Sequence, residues 1–205
     1  MASIGIETVP EQVRRTVTSE AVLDAALTLF AVRGYHGTAV SQVAEMLGIR
    51  TPSLYNHMRS KRELLETIIE RTLDGVEADF EEAVRDVSDP RERLRRATRI
   101  YALRQATHRR EALVVNRDTL SLEEPALSIL QARRRSQEHA LRAVIVEGIR
   151  SGVFTVESPD LASFAIREMC VSIARWFRAD GALSAEQVAD EYSAFALQIV
   201  GASRG

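Results

Sequence analysis

The stretch Val40–Lys61 constrains this chain more than any other, because it reads as two short helices around a sharp turn. Val43, Ala44 and Leu47 recur at helical spacing and predict a helix over Val40–Leu47. Gly48 can take positive φ without a Cβ clash and so end that helix, with Ile49 as an apolar plug. Thr51 is placed to cap the next helix and Pro52 suits its first position, where a missing N–H costs nothing. Over Pro52–Met58, Leu54 and Met58 fall one turn apart and face inward. Ser53, Tyr55, Asn56 and His57 are left outside, all hydrogen-bonding or flat aromatic side chains. A helix that shows such residues to solvent, held by a preceding helix across a glycine turn, describes a helix-turn-helix.

Charge supports that reading locally rather than globally. The 205 residues carry a net charge of −2, which is no signature of a nucleic-acid binder. Between Arg33 and Arg62, however, Arg33, Arg50, Arg59, Lys61 and Arg62 face a single acid, Glu45, with His36 and His57 nearby. Lys61 is the only lysine of the chain. Such a local excess is what phosphate neutralisation needs. A hydrophobic fraction of 45% supplies a core without staples. The lone cysteine, Cys170, excludes an internal disulfide and any CxxC site, and its apolar helical surroundings predict a small core residue. No run approaches the roughly 18–20 apolar residues of a membrane span, and the start lacks a signal-peptide pattern. A cytoplasmic protein is expected.

Around the turn, capping signals divide the chain into nine helices and no sheet. Residues 1–17 lack periodicity and are expected to form an arm, whose Arg14 and Arg15 are candidates for DNA contact. Thr18 or Ser19 caps the first helix, which carries Val22, Ala26, Leu29 and Phe30 and stops at Gly34. After the turn Tyr35–Gly37, Thr38 is placed to cap the next helix. Ser60 to Glu63 reads as a capping box opening a long helix through Leu64, Leu65, Ile68, Ile69, Leu73, Val76 and Phe80 to Val84. Asp89-Pro90 with Glu92 starts a fifth helix to about His108; a sixth covers Arg109–Thr119. A seventh opens within Ser121–Pro125 and ends near Gly152. Ser158-Pro159 starts the eighth, expected to end at Asp180-Gly181, and a Ser184/Gln187 box starts the ninth, to about Val200.

The ordered set Phe30, Gly34-Tyr35, Thr38 to Ala44, Leu47-Gly48-Ile49, Pro52 to Lys61 and Leu64-Leu65 closely resembles the DNA-binding domain of the TetR family of transcriptional regulators. The resemblance implies residues 18–62 as a DNA-binding domain and residues 63–205 as a ligand-binding and dimerisation domain. By position, it implies that Thr38, Ser53, Tyr55, His57 and Lys61 touch the DNA backbone, and that Ser41, Gln42, Thr51, Pro52 and Asn56 lie near bases. The chemistry agrees: Tyr55 can donate to a phosphate, and Asn56 and Gln42 can each pair bidentately with adenine. The plainer alternatives are a half-buried Tyr55 and solvated Asn56 and Gln42. Three positions depart from the family pattern. Met58 stands for a usual Phe, Arg50 for a small capping residue, and Ser41 for a longer basic one.

Helices 8 and 9 are apolar over more than one stripe, which requires a partner beyond their own core. The family pairs them across a homodimer, with Phe164, Ile173, Tyr192, Phe195 and Ile199 as the expected interface. Tyr101, Arg104, Arg134, Met169, Arg175 and Trp176 are the candidate effector contacts, with Ile100, Val115, Ile129 and Leu141 as further lining. Arg175 to Gly181 is similar to the end of helix 8 in regulators that sense acyl-CoA thioesters, and with Arg133–Arg135 it offers cations for a phosphorylated effector. Solvated helix surface is the plainer account of these arginines.

The leading expectation is therefore a repressor that binds a palindromic double-stranded operator as a dimer and is released by a small hydrophobic or acyl-CoA effector. An activator of the same family, an all-helical enzyme and a dimeric scaffold are the alternatives. The enzyme has little support: there is no HExxH, GxSxG or phosphate loop, the four histidines are scattered, and no cofactor or metal is called for.

Overall fold

The computed structural model describes residues 17–202. Among them lie nine α-helices: α1 (Ser19–Arg33), α2 (Val40–Met46), α3 (Thr51–Leu54), α4 (Lys61–Val84), α5 (Pro90–Thr107), α6 (Arg109–Asp118), α7 (Ala126–Arg150), α8 (Pro159–Trp176) and α9 (Ala185–Ile199). A single 3-10 turn, Thr119–Ser121, links α6 to α7. The all-α, nine-helix architecture is the one expected; the arm's Arg14 and Arg15 lie outside the described residues.

Several helix starts follow their capping residues. Thr18 Oγ1 accepts from the Ala21 N–H at 3.1 Å, and Asp89 accepts from the N–H groups of Arg91 and Glu92 at 3.3 and 3.2 Å. At α9 the box is reciprocal, Gln187 N–H to Ser184 Oγ and Ser184 N–H to Gln187 Oε1. Two expected boxes close only halfway. Ser60 caps Glu63, but the Glu63 carboxylate accepts from the Arg59 N–H instead of that of Ser60. Glu92 turns away from its own N-cap to Arg95 and Arg96, since a guanidinium partner outcompetes a neutral amide.

Two helix ends differ from the sequence expectation. α3 stops at Leu54, because the His57 N–H bonds three residues back to the Leu54 carbonyl at 2.8 Å and tightens the chain. Arg50, in extended geometry, takes the N-cap of α3 with no side-chain bond, so Thr51 and Pro52 are the first helical residues and Thr51 is not the cap. α8 stops at Trp176, because Phe177 leaves the helix in extended geometry to bury its ring beside Ala102, Cys170 and Val188. Burial of an aromatic ring outweighs another turn of helix.

One apolar core joins α1, α2 and α3 to the first half of α4 through Phe30, Val43, Leu54, Leu65 and Ile69. It continues into Val114 and Val115 of α6, Leu122 and Leu130, so it does not stop at Arg62. Each large side chain buried there contributes about 1.5–3 kcal/mol. Beyond it, α5 packs against α4, α7, α8 and α9. Phe154 fills the space beside Gly148, where a Cβ would lie 2.1 Å from its ring. Cys170 is wholly buried, and burial pushes its thiol up to about 12. No helix among the described residues is long and apolar enough to cross a membrane.

Candidate nucleic-acid interface and internal cavity

Leu54 and Met58 are buried in the core, as their spacing requires, and this turns the rest of the α3 segment outward. Ser53, Asn56 and Pro52 are exposed, Tyr55 is 55% exposed, and Thr51 and His57 are half-buried. Ser41 is exposed on α2. Gln42 is half-buried and accepts from the Ala39 N–H at 2.9 Å, closing the N-terminus of its own helix.

Thr38 does not cap α2. Ala39 occupies the N-cap, and Thr38 is 2% exposed, with its hydroxyl donating to the Gly34 carbonyl at 2.9 Å and its N–H to that of Tyr35. Both of its polar groups thus serve the turn between α1 and α2.

Lys61 opens α4 and lies with Nζ 4.2 Å from the centroid of the Tyr35 ring, a cation–π geometry. Burial holds its ammonium below the usual lysine value, opposed by the charge of Asp118. The Tyr35 ring meets Phe30 edge-on, and burial raises its hydroxyl pKa. By sequence Tyr35 belongs to the turn after α1 and to the set that resembles the TetR family, with no sign of a cationic partner. Its partner lies 26 positions away, beyond any local pattern. Arg62, counted in the basic window, pairs with Glu123.

α1 is tied to the rest of the chain by charge as well as by core. Arg117 of α6 donates to the carbonyls of Phe30 and Ala31 at the end of α1, and forks onto Asp118 at 3.1 and 3.0 Å. Arg110 reaches Asp24 and Thr28, and Arg71 reaches Glu20.

A cavity of about 480 Å³ lies among α4, α5, α6, α7 and α8. Tyr101, Arg104 and Arg134 line it as expected, and so do Ile100, Val115 and Leu141. Met169, Arg175 and Trp176 do not. α8 presents Ser163, Ile166 and Arg167 to the cavity, Met169 packs into the neighbouring cores, and Arg175 and Trp176 lie exposed at the helix end. Ile129 is also exposed, outside this cavity. Arg104 pairs with Asp79, and Arg133 pairs with Asp74 and Glu77 at 2.7 Å each. Burial pushes the Tyr101 hydroxyl up to about 12, so it stays a neutral donor. No group of His, Cys, Asp and Glu among the described residues is arranged to hold a metal.

Phe164 is 56% and Trp176 47% exposed, and Phe195 and Ile199 open to the same degree or somewhat less. Tyr192 stands between Trp176 and Phe195 at 6.3 and 5.9 Å. Ile173 does not belong to this exposed set. It is 0% exposed, buried with Ala102 and Val188, because nine residues beyond Phe164 is two and a half turns, the opposite face of α8.

Two family models match this arrangement. Bacterial regulatory proteins of the tetR family match residues 22–68, and the tetracyclin repressor-like C-terminal domain matches residues 87–200.

The chain belongs to the TetR family.

The transcriptional repressor KstR2 of Mycobacterium tuberculosis is 30% identical over 179 residues, covering 86% of this chain and 89% of that protein. The structure of ketosteroid transcriptional regulator KstR2 from the same organism superposes with a TM-score of 0.85 at 28% identity, over 95% of this chain and 98% of that one. AibR, solved in complex with isovaleryl coenzyme A and operator DNA, gives a TM-score of 0.80 at 25% identity, over 90% and 99%. This TetR-family chain is accordingly a DNA-binding transcriptional regulator, with its helix-turn-helix in α2–α3.

Proposed function

We propose that this chain is a ligand-responsive repressor that holds a palindromic operator as a homodimer and releases it when a small molecule enters the cavity. The observation that carries the reading is the continuity of α4. Its first turns share a core with the reading helices, and Val76 and Phe80 further along it line the cavity. A shift of α4 on ligand entry changes the placement of α3, which is allostery between two sites with a coupling of typically about 1–3 kcal/mol.

In this reading residues 18–62 read DNA and residues 63–205 bind effector and partner. Ser41, Gln42, Thr51, Pro52 and Asn56 lie toward bases, and Ser53, Tyr55, His57 and Lys61 toward phosphates. Phe164, Tyr192, Phe195 and Ile199, joined by Trp176, form the self-complementary face of a two-fold dimer. That symmetry places two reading segments roughly 34 Å apart, one turn of DNA. The protein acts by binding and not by catalysis. AibR bound to isovaleryl coenzyme A and operator supports an acyl thioester as one form of effector.

Fluorescence anisotropy with the DNA flanking its own gene tests this. Binding should weaken steeply with salt, and Lys61→Ala should flatten that salt slope by about one unit. Asn56→Ala should change preference at one base position by about 1–3 kcal/mol. Absence of salt-dependent binding to any such DNA would sink the proposal.

A further inference from the structure

One arginine of the cavity wall stands apart from the others. Four arginines line it, and three have acidic partners. Arg104 pairs with Asp79, Arg133 with Asp74 and Glu77, and Arg167 with Glu138 and Glu168. The fourth, Arg134, has no carboxylate within ion-pair distance among the described residues. Its Nη2 donates to the backbone carbonyl of Val115 at 2.7 Å, a neutral acceptor. Burial pulls the Arg134 guanidinium below its usual value; Tyr101, Glu138 and Glu168 oppose the shift and the charge of Arg167 adds to it. A half-buried cation whose one hydrogen bond is to a neutral carbonyl, with Glu138 and Glu168 acting on it only from beyond ion-pair distance, is open to an anion.

Around it, other donors wait unpaired. Thr98 Oγ1, Gln137 Nε2 and Arg104 Nε are all buried without a hydrogen-bond partner among the described residues, and all three belong to residues of the cavity wall. In folded proteins such atoms are few and call for an explanation. Val76, Phe80, Ile100 and Leu141 supply an apolar part of the wall, which also carries the acids Glu77, Asp79, Glu81 and Glu138. A cavity of about 480 Å³ suits one compact organic molecule. One unpaired guanidinium matches one negative charge. The multiple phosphates of a nucleotide would need more cations than this wall leaves free, so an acyl thioester would have to keep its nucleotide outside the cavity and carry the acid on its acyl part.

We propose that the cavity binds an amphipathic organic monoacid, its acid group forked onto Arg134, an acceptor group met by Thr98 or Gln137, and its apolar body against Val76, Phe80, Ile100 and Leu141. This rests on reading the cavity as the effector site. It narrows the effector to a molecule whose buried end carries a single acid.

The probe is 8-anilinonaphthalene-1-sulfonate, a monoanion with an apolar body that fluoresces when desolvated, compared with N-phenyl-1-naphthylamine, the same ring system without the acid. The sulfonate should bind the full-length protein, at least tenfold more weakly to Arg134→Met, and with intermediate strength to Arg134→Lys. The uncharged dye should bind all three alike. Arg134→Met should remain folded, since Arg134 is half-buried and gives up a single hydrogen bond to a backbone carbonyl, and a melting curve checks it. Equal sulfonate binding by wild type and Arg134→Met, or no sulfonate binding by wild type, overturns the proposal. Operator binding by the same three proteins is measured beside it. Failure there removes the repressor reading, while the dyes alone decide the acid site.

Discussion

Arg117→Ala tests the joint between α1 and α6. The Arg117 guanidinium caps the last carbonyls of α1 at Phe30 and Ala31 and forks onto Asp118, whose side chain is buried while that of Arg117 is about half exposed. Hydrogen bonds to a charged group contribute about 1.5–3 kcal/mol. Half-exposure of the arginine discounts the pair, but the α1 carbonyls and the buried Asp118 carboxylate both lose a partner. The expected loss is about 2 kcal/mol, which for a domain of this size is a fall in Tm of roughly 4–8 °C. Urea and thermal unfolding at fixed protein concentration measure it. Asp118→Asn in the same background separates the two causes. If the stranded carboxylate matters, the double variant is about 1 kcal/mol more stable than the sum of the singles. A single-variant loss below about 0.5 kcal/mol, or strict additivity, refutes the account of Arg117 as a partly buried clamp.

Two shorter predictions concern the dimer and pH. Phe195→Glu places a charge in the exposed α8–α9 face, so light scattering should show monomer and operator affinity should fall; an intact dimer would place the interface elsewhere. Glu92 is held at about 2 by hydrogen bonds from Arg95 and Arg96. A depressed carboxylate contributes stability above its unfolded value of about 4.3 and loses it as pH falls toward 2. Glu92→Gln should therefore flatten the acid limb of the stability curve between about pH 4.5 and 2, and an unchanged limb would argue against the Arg95–Glu92–Arg96 cluster.

The helices were legible because their starts are chemical. Thr18, Ser60, Asp89, Ser158 and Ser184 each accept from their helix's first turn. Periodicity also placed Leu54 and Met58 in the core and so turned Ser53, Tyr55 and Asn56 outward. What failed depended on turn geometry and on the packing of helices, which local patterns do not fix. Thr38 has the right residue type and spacing for a cap, yet its hydroxyl is taken by Gly34. Trp176 looked like a pocket aromatic, but the path of α8 carries it past the cavity to Tyr192. Arg134 stands between two other arginines in sequence, and only the packing of α4 against α7 shows that Arg133 has acids to pair with and Arg134 does not.

In the proposed reading, the length of α4 would turn small changes at the cavity into large ones at the DNA. Phe80 on the cavity and Leu64 in the reading core are sixteen residues apart, about 24 Å of helix, so a tilt of about 5° moves the far end by about 2 Å. Doubled by two-fold symmetry, that is about 4 Å against a groove repeat of roughly 34 Å. The lever has one residue without a side chain near its middle, Gly75, and Arg104 Nη2 lies 2.0 Å from where its Cβ would be. A cavity-lining arginine thus packs against α4 at its one glycine, so an effector that repositioned Arg104 would act on the helix at that turn.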